Sequence, residues 1–87
     1  MDMLYPKENA SLYIPLEQDG QRGRLIFEAT HRQTNAKLHW HLDNQYLGET
    51  YQNHIMELNP PKGAHRLVLV DAQGNELVRN FEVISED

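Results

Sequence analysis

One short stretch constrains this chain more than any other. In Ala36–Asp43, AKLHWHLD, the residues Ala36, Leu38, Trp40 and Leu42 alternate strictly with Lys37, His39, His41 and Asp43. Successive side chains of a β-strand point to opposite faces, so a period of two marks a strand with one buried face. The chain's single tryptophan belongs to the apolar set. If Trp40 points into a core, His39 and His41 must both point to water, because a slip of one residue moves every side chain to the other face.

The rest of the chain is consistent with that stretch. Turn-forming residues recur at roughly 8–12-residue intervals, a spacing typical of β-sandwiches and barrels. They include Pro6, Pro15, Asp19-Gly20, Gly23, Asn35, Asp43-Asn44, Gly48, Asn59-Pro60-Pro61, Gly63 and Gly74-Asn75. No long segment repeats its apolar residues with helical spacing. The predicted strands are Ala10–Pro15, Arg24–Thr30, Ala36–Asp43, Gln45–Glu49, His54–Leu58, Ala64–Asp71 and Glu76–Ile84. Leu12 and Ile14 share a face in the first, and Leu25, Phe27 and Ala29 in the second. Met56 and Leu58 are expected inward in the fifth, Phe81 and Val83 in the seventh. The sixth is apolar on both faces in its second half, and DAQGNE connects it to the seventh as a tight hairpin. The prediction is therefore an all-β, immunoglobulin-like antiparallel sandwich of about seven short strands, with Trp40 between the sheets. Phe27 and Leu69 would take the central positions that a disulfide occupies in antibody domains. A single domain spans 1–87, with an ordered core of about 8–84 and loose ends at Met1–Lys7 and Ser85–Asp87.

Composition narrows the function. The chain has 87 residues and no cysteine, which excludes a disulfide scaffold, an iron–sulfur cluster and a thiolate zinc site. Thirteen acids against eight bases give a formal net charge of −5, and Lys and Arg are scattered singly. No basic stripe for nucleic acid is visible. No apolar run approaches the ~20 residues of a spanning helix, and no signal-peptide core opens the chain. An exported parent would make this chain a piece of a longer protein.

Two histidines on one face of a strand could hold a divalent metal, so His39 and His41 are the candidate ligands. A third ligand would have to come from His54 or Glu49 through a tertiary contact. The alternative is that His39 and His41 are the solvated back of a half-buried strand. His31 and His65 read as surface or boundary residues. Ser11 and Ser85 lie in no nucleophile motif, Gly20 and Gly23 precede no helix, and the carboxylates fall mostly at turns and outward positions. No catalytic residue and no cofactor is expected. Tyr46 and Tyr51, with His39 and His41, are the candidate partner-binding residues. Tyr46 lies in the short fourth run, the expected edge strand, where tyrosine serves either as half-buried packing or as a contact anchor. A shallow sugar platform of Tyr46 and Tyr51, beside His39, His41 and Asp43, is the competing reading.

The ordered set of LYPKENASLYIP, LIFEA, KLHWHLDNQYLGET and PPKGAHRLVLVDAQGNELVRNFEV resembles the C-terminal domain of bifunctional class A penicillin-binding proteins of the 1C type. The elements that carry the resemblance are Trp40-His41-Leu42-Asp43-Asn44, Leu47-Gly48, Pro61-Lys62-Gly63-Ala64-His65-Arg66-Leu67, Asp71-Ala72-Gln73-Gly74 and Phe81-Glu82-Val83. Asn44 stands where that family often has glycine, and asparagine tolerates the same left-handed conformation. The resemblance implies a periplasmic setting, as part of an inner-membrane-anchored enzyme that builds peptidoglycan through glycosyltransferase and transpeptidase domains. None of those catalytic motifs is present, so the implied role is a non-catalytic accessory module. It would dock on the transpeptidase domain or recruit a protein such as an α2-macroglobulin-like periplasmic lipoprotein; peptidoglycan itself is the alternative partner. Neither nucleic acid nor membrane insertion by this segment is expected.

Overall fold

The alternation of apolar and polar residues closes into two facing sheets in the computed structural model, which describes residues 1–14 and 23–85. Eight strands are formed: β1 (Asp2–Tyr5), β2 (Ala10–Ile14), β3 (Leu25–Thr30), β4 (Lys37–Leu42), β5 (Gln45–Tyr51), β6 (Ile55–Leu58), β7 (Gly63–Val70) and β8 (Glu76–Ser85). The smaller sheet has the order β1-β3-β6 and the larger β2-β8-β7-β4-β5. All pairings are antiparallel except β2 with β8, which is parallel. The seven expected strands are therefore present, and an eighth precedes them. The loop expected around Gly20, the Pro15 end of the first predicted strand, and residues 86–87 of the expected loose tail lie outside the described residues.

The core is the sum of the inward parities. Leu25, Phe27 and Ala29 from β3 face Leu38 and Trp40 from β4, Leu67 and Leu69 from β7, and Phe81 and Val83 from β8. Trp40, Phe27 and Leu69 are fully buried, which puts the indole between the sheets as its parity requires. Phe27 and Phe81 meet edge to face at 5.2 Å across the gap, a favoured aromatic geometry. Met56 and Leu58 are half-buried against this cluster. On β8 the inward parity also includes Arg79, whose guanidinium reaches 4.0 Å from the Asp2 carboxylate where β1 and β8 approach. Its side chain is mostly buried, and the guanidinium Nε has no hydrogen-bond partner among the described residues.

The opening segment departs from expectation. Met1–Lys7 reads as a loose end because its charges and Pro6 hide any period, yet Asp2–Tyr5 pairs with β3. Met3 pairs with Ala29 and is buried in the core. The register shifts between Met3 and Tyr5, a bulge that breaks the alternation a sequence pattern would show. Between β1 and β2 the chain passes from one sheet to the other, so the two strands cap opposite layers.

Met3→Ala is expected to destabilise the fold by about 2–5 kcal/mol, the usual cost of emptying a core position. Leu4→Ala, at an exposed neighbour, should stay within about 0.5 kcal/mol. Urea denaturation of both variants checks this; equal effects would remove β1 from the cooperative unit.

Candidate functional site

The candidate residues lie on the β4–β5 hairpin, and the hairpin is built from its turn outward. Leu42 pairs with Gln45, which leaves Asp43 and Asn44 as a two-residue connection with φ of 50° and 69°. Positive φ at both central residues is what a tight hairpin twist requires, and Asp and Asn are among the few residues that tolerate it. The Asp43 carboxylate then ties the turn to β7. Its Oδ1 accepts the Arg66 backbone N–H at 2.9 Å, while the Asp43 N–H donates to the Arg66 carbonyl at 2.9 Å. Its Oδ2 lies 2.6 Å from His65 Nδ1. The other ring nitrogen of His65 lies 2.6 Å from the Pro61 carbonyl. Both partners are acceptors, so the ring satisfies both when each nitrogen carries a proton. Burial works to raise the Asp43 pKa, but the hydrogen bonds from His65 and Arg66 prevail and hold it below the usual value.

His65 is thus neither a surface nor a boundary residue, as its position at a strand start suggests. It is buried, packs on the Phe81 ring at 5.5 Å, and shares the inward parity of Leu67 and Leu69. That parity was the available signal: an inward histidine needs partners.

A second network crosses the hairpin on its core side. The Trp40 indole N–H donates to Thr50 Oγ1 at 2.9 Å, and Thr50 Oγ1 lies 2.7 Å from His54 Nδ1. The hydroxyl accepts from the indole and donates to the imidazole, which requires Nδ1 to be unprotonated. Burial first, and the nearby His31 second, lower the His54 pKa and favour that form. The His54 carbonyl accepts the Ala29 N–H at 2.9 Å, so the residue links the larger sheet to β3. His54 therefore sits behind the sheet and cannot join His39 and His41 as a third ligand.

His39 and His41 face outward, as the parity of Trp40 demands. Tyr46 stands against both, with ring centroids at 5.9 and 5.3 Å and its hydroxyl 3.1 Å from His39 Nδ1. Glu49 comes within 4.0 Å of the same nitrogen. Tyr51 pairs with Lys37 further along β5, on the same outward face. Tyr46 and Tyr51 are 53% and 50% exposed, so each keeps about half of its surface open to solvent. Among the described residues, no group of three or more His, Asp or Glu side chains is arranged to hold a metal ion.

Within the described residues β5 pairs only with β4, so the expected edge position is the observed one. Its ladder is interrupted, because Trp40 pairs with Gly48 but His41 with Tyr46. Gly48 has φ +141°, and a Cβ there would meet no atom within 4 Å, so glycine is required by conformation rather than by space. A bulged edge is a poor template for a continuous added strand. Recognition through the outward side chains suits this strand better. Past the hairpin turn the outer face continues into a shallow groove of about 490 Å³, lined among others by Ser11, Asp43, Arg66, Asn80 and Glu82.

A third histidine network lies at the far end of the sandwich. His31 Nε2 lies 3.1 Å from Asp71 Oδ2, and its Nδ1 accepts the Gln33 N–H at 3.0 Å, so Nε2 is the nitrogen that donates to the carboxylate. Asp71 Oδ1 accepts the N–H groups of Gln73 and Asn75, and Oδ2 also accepts from the Asn75 amide. Burial opposes the charge, but His31, Asn75 and Gln73 outweigh it and bring the Asp71 pKa down to about 2. The reading of the turn carboxylates as solvated fails here, since Asp71 is buried. The Asp71-Ala72-Gln73-Gly74 turn carried the signal, because aspartate at a turn start bonds to following N–H groups.

A family model for the Penicillin-Binding Protein C-terminus Family matches residues 1–81. No curated protein matches the chain. Among solved structures, fibronectin(III)-like modules of Clostridium thermocellum CbhA superpose with a TM-score of 0.68. They are 15% identical, and the alignment covers 98% of this chain and 96% of theirs. That similarity establishes the immunoglobulin-like sandwich expected from the strand pattern, and only the fold.

Acid should unfold this protein in two stages. A lowered His54 pKa means that the unfolded chain binds the proton more readily, so its contribution is present above about pH 6.5 and is lost as pH falls. Lowered Asp43 and Asp71 values act the same way, present above the ordinary carboxylate pKa near 4 and lost below it, with the Asp71 part fading down to about 2. Asp71→Asn is expected to cost about 1–3 kcal/mol at neutral pH, by leaving donors facing donors, and to flatten the lower limb. Thermal melts across the acid range check both; a limb unchanged by Asp71→Asn would reject the assignment.

Proposed function

The chain belongs to the Penicillin-Binding Protein C-terminus family, and from that premise we propose that it is a non-catalytic accessory module of a peptidoglycan-synthesising enzyme of the 1C type. Its setting is the periplasm, in a parent anchored in the inner membrane that also carries glycosyltransferase and transpeptidase domains. The module docks on the transpeptidase domain or recruits a protein such as an α2-macroglobulin-like periplasmic lipoprotein.

One observation carries the reading. Three of the protein's histidines and two of its aspartates are engaged in holding turns and strands together: His31, His54 and His65, with Asp43 and Asp71. The hairpin held by His54, His65 and Asp43 presents Tyr46 and Tyr51 half-exposed on one face. Rigid aromatic side chains on a fixed scaffold lose little entropy on contact and are frequent binding anchors. Chemistry on a substrate needs a titratable group free to reach it, whereas each of these groups is tied to a structural partner.

Peptidoglycan is the second reading, favoured by the shared outward face of Tyr46 and Tyr51 beside the polar groove at Asn80 and Glu82. The two readings separate experimentally. Removing the module from the parent is expected to abolish association with a protein partner while leaving the catalytic domains folded. Co-sedimentation of the protein with purified sacculi tests the glycan reading, and absence from the pellet at every salt concentration eliminates it. Tyr46→Ala and Tyr51→Ala should weaken an association made through the hairpin face by roughly tenfold or more, as loss of an aromatic anchor does, with little change in melting temperature. A parent that associates and functions unchanged without the module overturns the accessory reading.

A further inference from the structure

The outer face of the smaller sheet is another place where this protein exposes apolar side chains. Leu25, Phe27 and Ala29 point inward, so Ile26, Glu28 and Thr30 form the outward row of β3. Ile26 is 56% exposed and pairs with Glu57; Ile55 is 49% exposed and pairs with Glu28. On the opposite side β1 adds the exposed Leu4, while Tyr5, in register with Glu28, turns its ring to within 6.3 Å of the buried Phe27 ring. Glu28 is therefore central to the face, with Ile26 two residues before it on β3 and Ile55 in register on β6. Its carboxylate has no hydrogen-bond or ion-pair partner among the described residues. Its neighbour Glu57 has only a 3.9 Å contact with Arg24 at the rim, where both side chains are well exposed.

This pattern differs from that of the larger sheet. There the exposed large residues, Tyr13, Ile84, Tyr46 and Tyr51, lie on the outer strands and their neighbours, and the middle is filled by Val68 and Val70. On the smaller sheet the exposed isoleucines Ile26 and Ile55 alternate with the carboxylates of Glu28 and Glu57. Exposed aliphatic side chains set among carboxylates suit a partner that brings both apolar surface and opposite charge. A second copy of the same face would set Glu28 and Glu57 against their equivalents, and like charges brought together in an interface are costly.

We infer that the outer face of β1-β3-β6 is a second docking face of the module, separate from the Tyr46 and Tyr51 face of the hairpin, for a protein surface that places a lysine or arginine against Glu28 among apolar side chains. The inference rests on the accessory-module reading and adds a second face to it. In a closed interface the cation would pair with a carboxylate flanked by Ile26 and Ile55, where exclusion of water strengthens the pair. Ile26 and Leu4 would supply the surrounding apolar contact.

The test uses the full-length parent protein with a photo-crosslinking amino acid placed singly at Ile26, Ile55, Tyr46 or Tyr51. Crosslinks from Ile26 and Ile55 are expected, to a peptide containing lysine or arginine flanked by apolar residues. Glu28→Lys should reduce their yield by roughly tenfold or more, and Glu28→Gln by less, as expected when one partner of an interfacial charge pair is reversed or neutralised. Melting temperatures of the same variants should stay near that of the parent chain, since Glu28 is exposed. Crosslinks from Tyr46 and Tyr51 alone would overturn this face while leaving the accessory reading in place. Crosslinks between two copies, to a peptide without a basic residue, or indifferent to Glu28→Lys would overturn it as well. Failure to crosslink from all four positions would overturn both readings.

Discussion

The structure depends on the burial of one indole that still needs a hydrogen bond. Trp40 contributes the largest side chain in the core, and its N–H would be costly to leave unsatisfied among aliphatic neighbours. Thr50 meets that requirement from the adjacent strand, and His54 satisfies the threonine hydroxyl in turn. The path therefore runs from β4 through β5 to the residue that precedes β6, and on to β3 through the His54 carbonyl. Hydrophobic burial alone would allow the sheets to slide over one another. A directional chain of this kind fixes their relative position, and it sets β5 at the distance where Tyr46 and Glu49 meet the outward histidines.

The strand pattern was legible wherever one face was buried and the other wet. β3 and β4 alternate without a break, and their inward residues are the buried ones. β1 was not legible, because four residues with a bulge carry too short a period to separate from a loose end. The same limit explains the histidines. Parity showed that His39 and His41 face water, but parity gives an orientation and no partner. His65 on the inward side of β7, Asp43 in a turn 22 residues earlier and the Pro61 carbonyl come together only when three separate segments assemble. His31 and Asp71 lie 40 residues apart for the same reason. Sequence spacing can nominate such residues; the contact itself belongs to the tertiary structure.

The polar networks divide the molecule into an inside and two outsides of different character. At one end Asp43 and His65 lock the β4–β5 turn to β7, and at the other Asp71 with His31 organises the β7–β8 connection. Both ends are held by charge-assisted hydrogen bonds in partly buried settings, which are stronger than neutral ones. The faces are left to differ. The larger sheet shows polar groups, imidazoles and tyrosines toward its edge; the smaller shows aliphatic residues among carboxylates. A small sandwich can in this way offer two chemically distinct surfaces without a cleft.

The two bulges have a further consequence. One interrupts β1 and the other β5, which are margins of different sheets, and β6 at a third margin is only four residues long. Each break shifts the spacing of free backbone groups out of step with a straight neighbouring chain. Copies of the protein held side by side at high local density would find no uninterrupted run on which to nucleate cross-β fibrils at these margins.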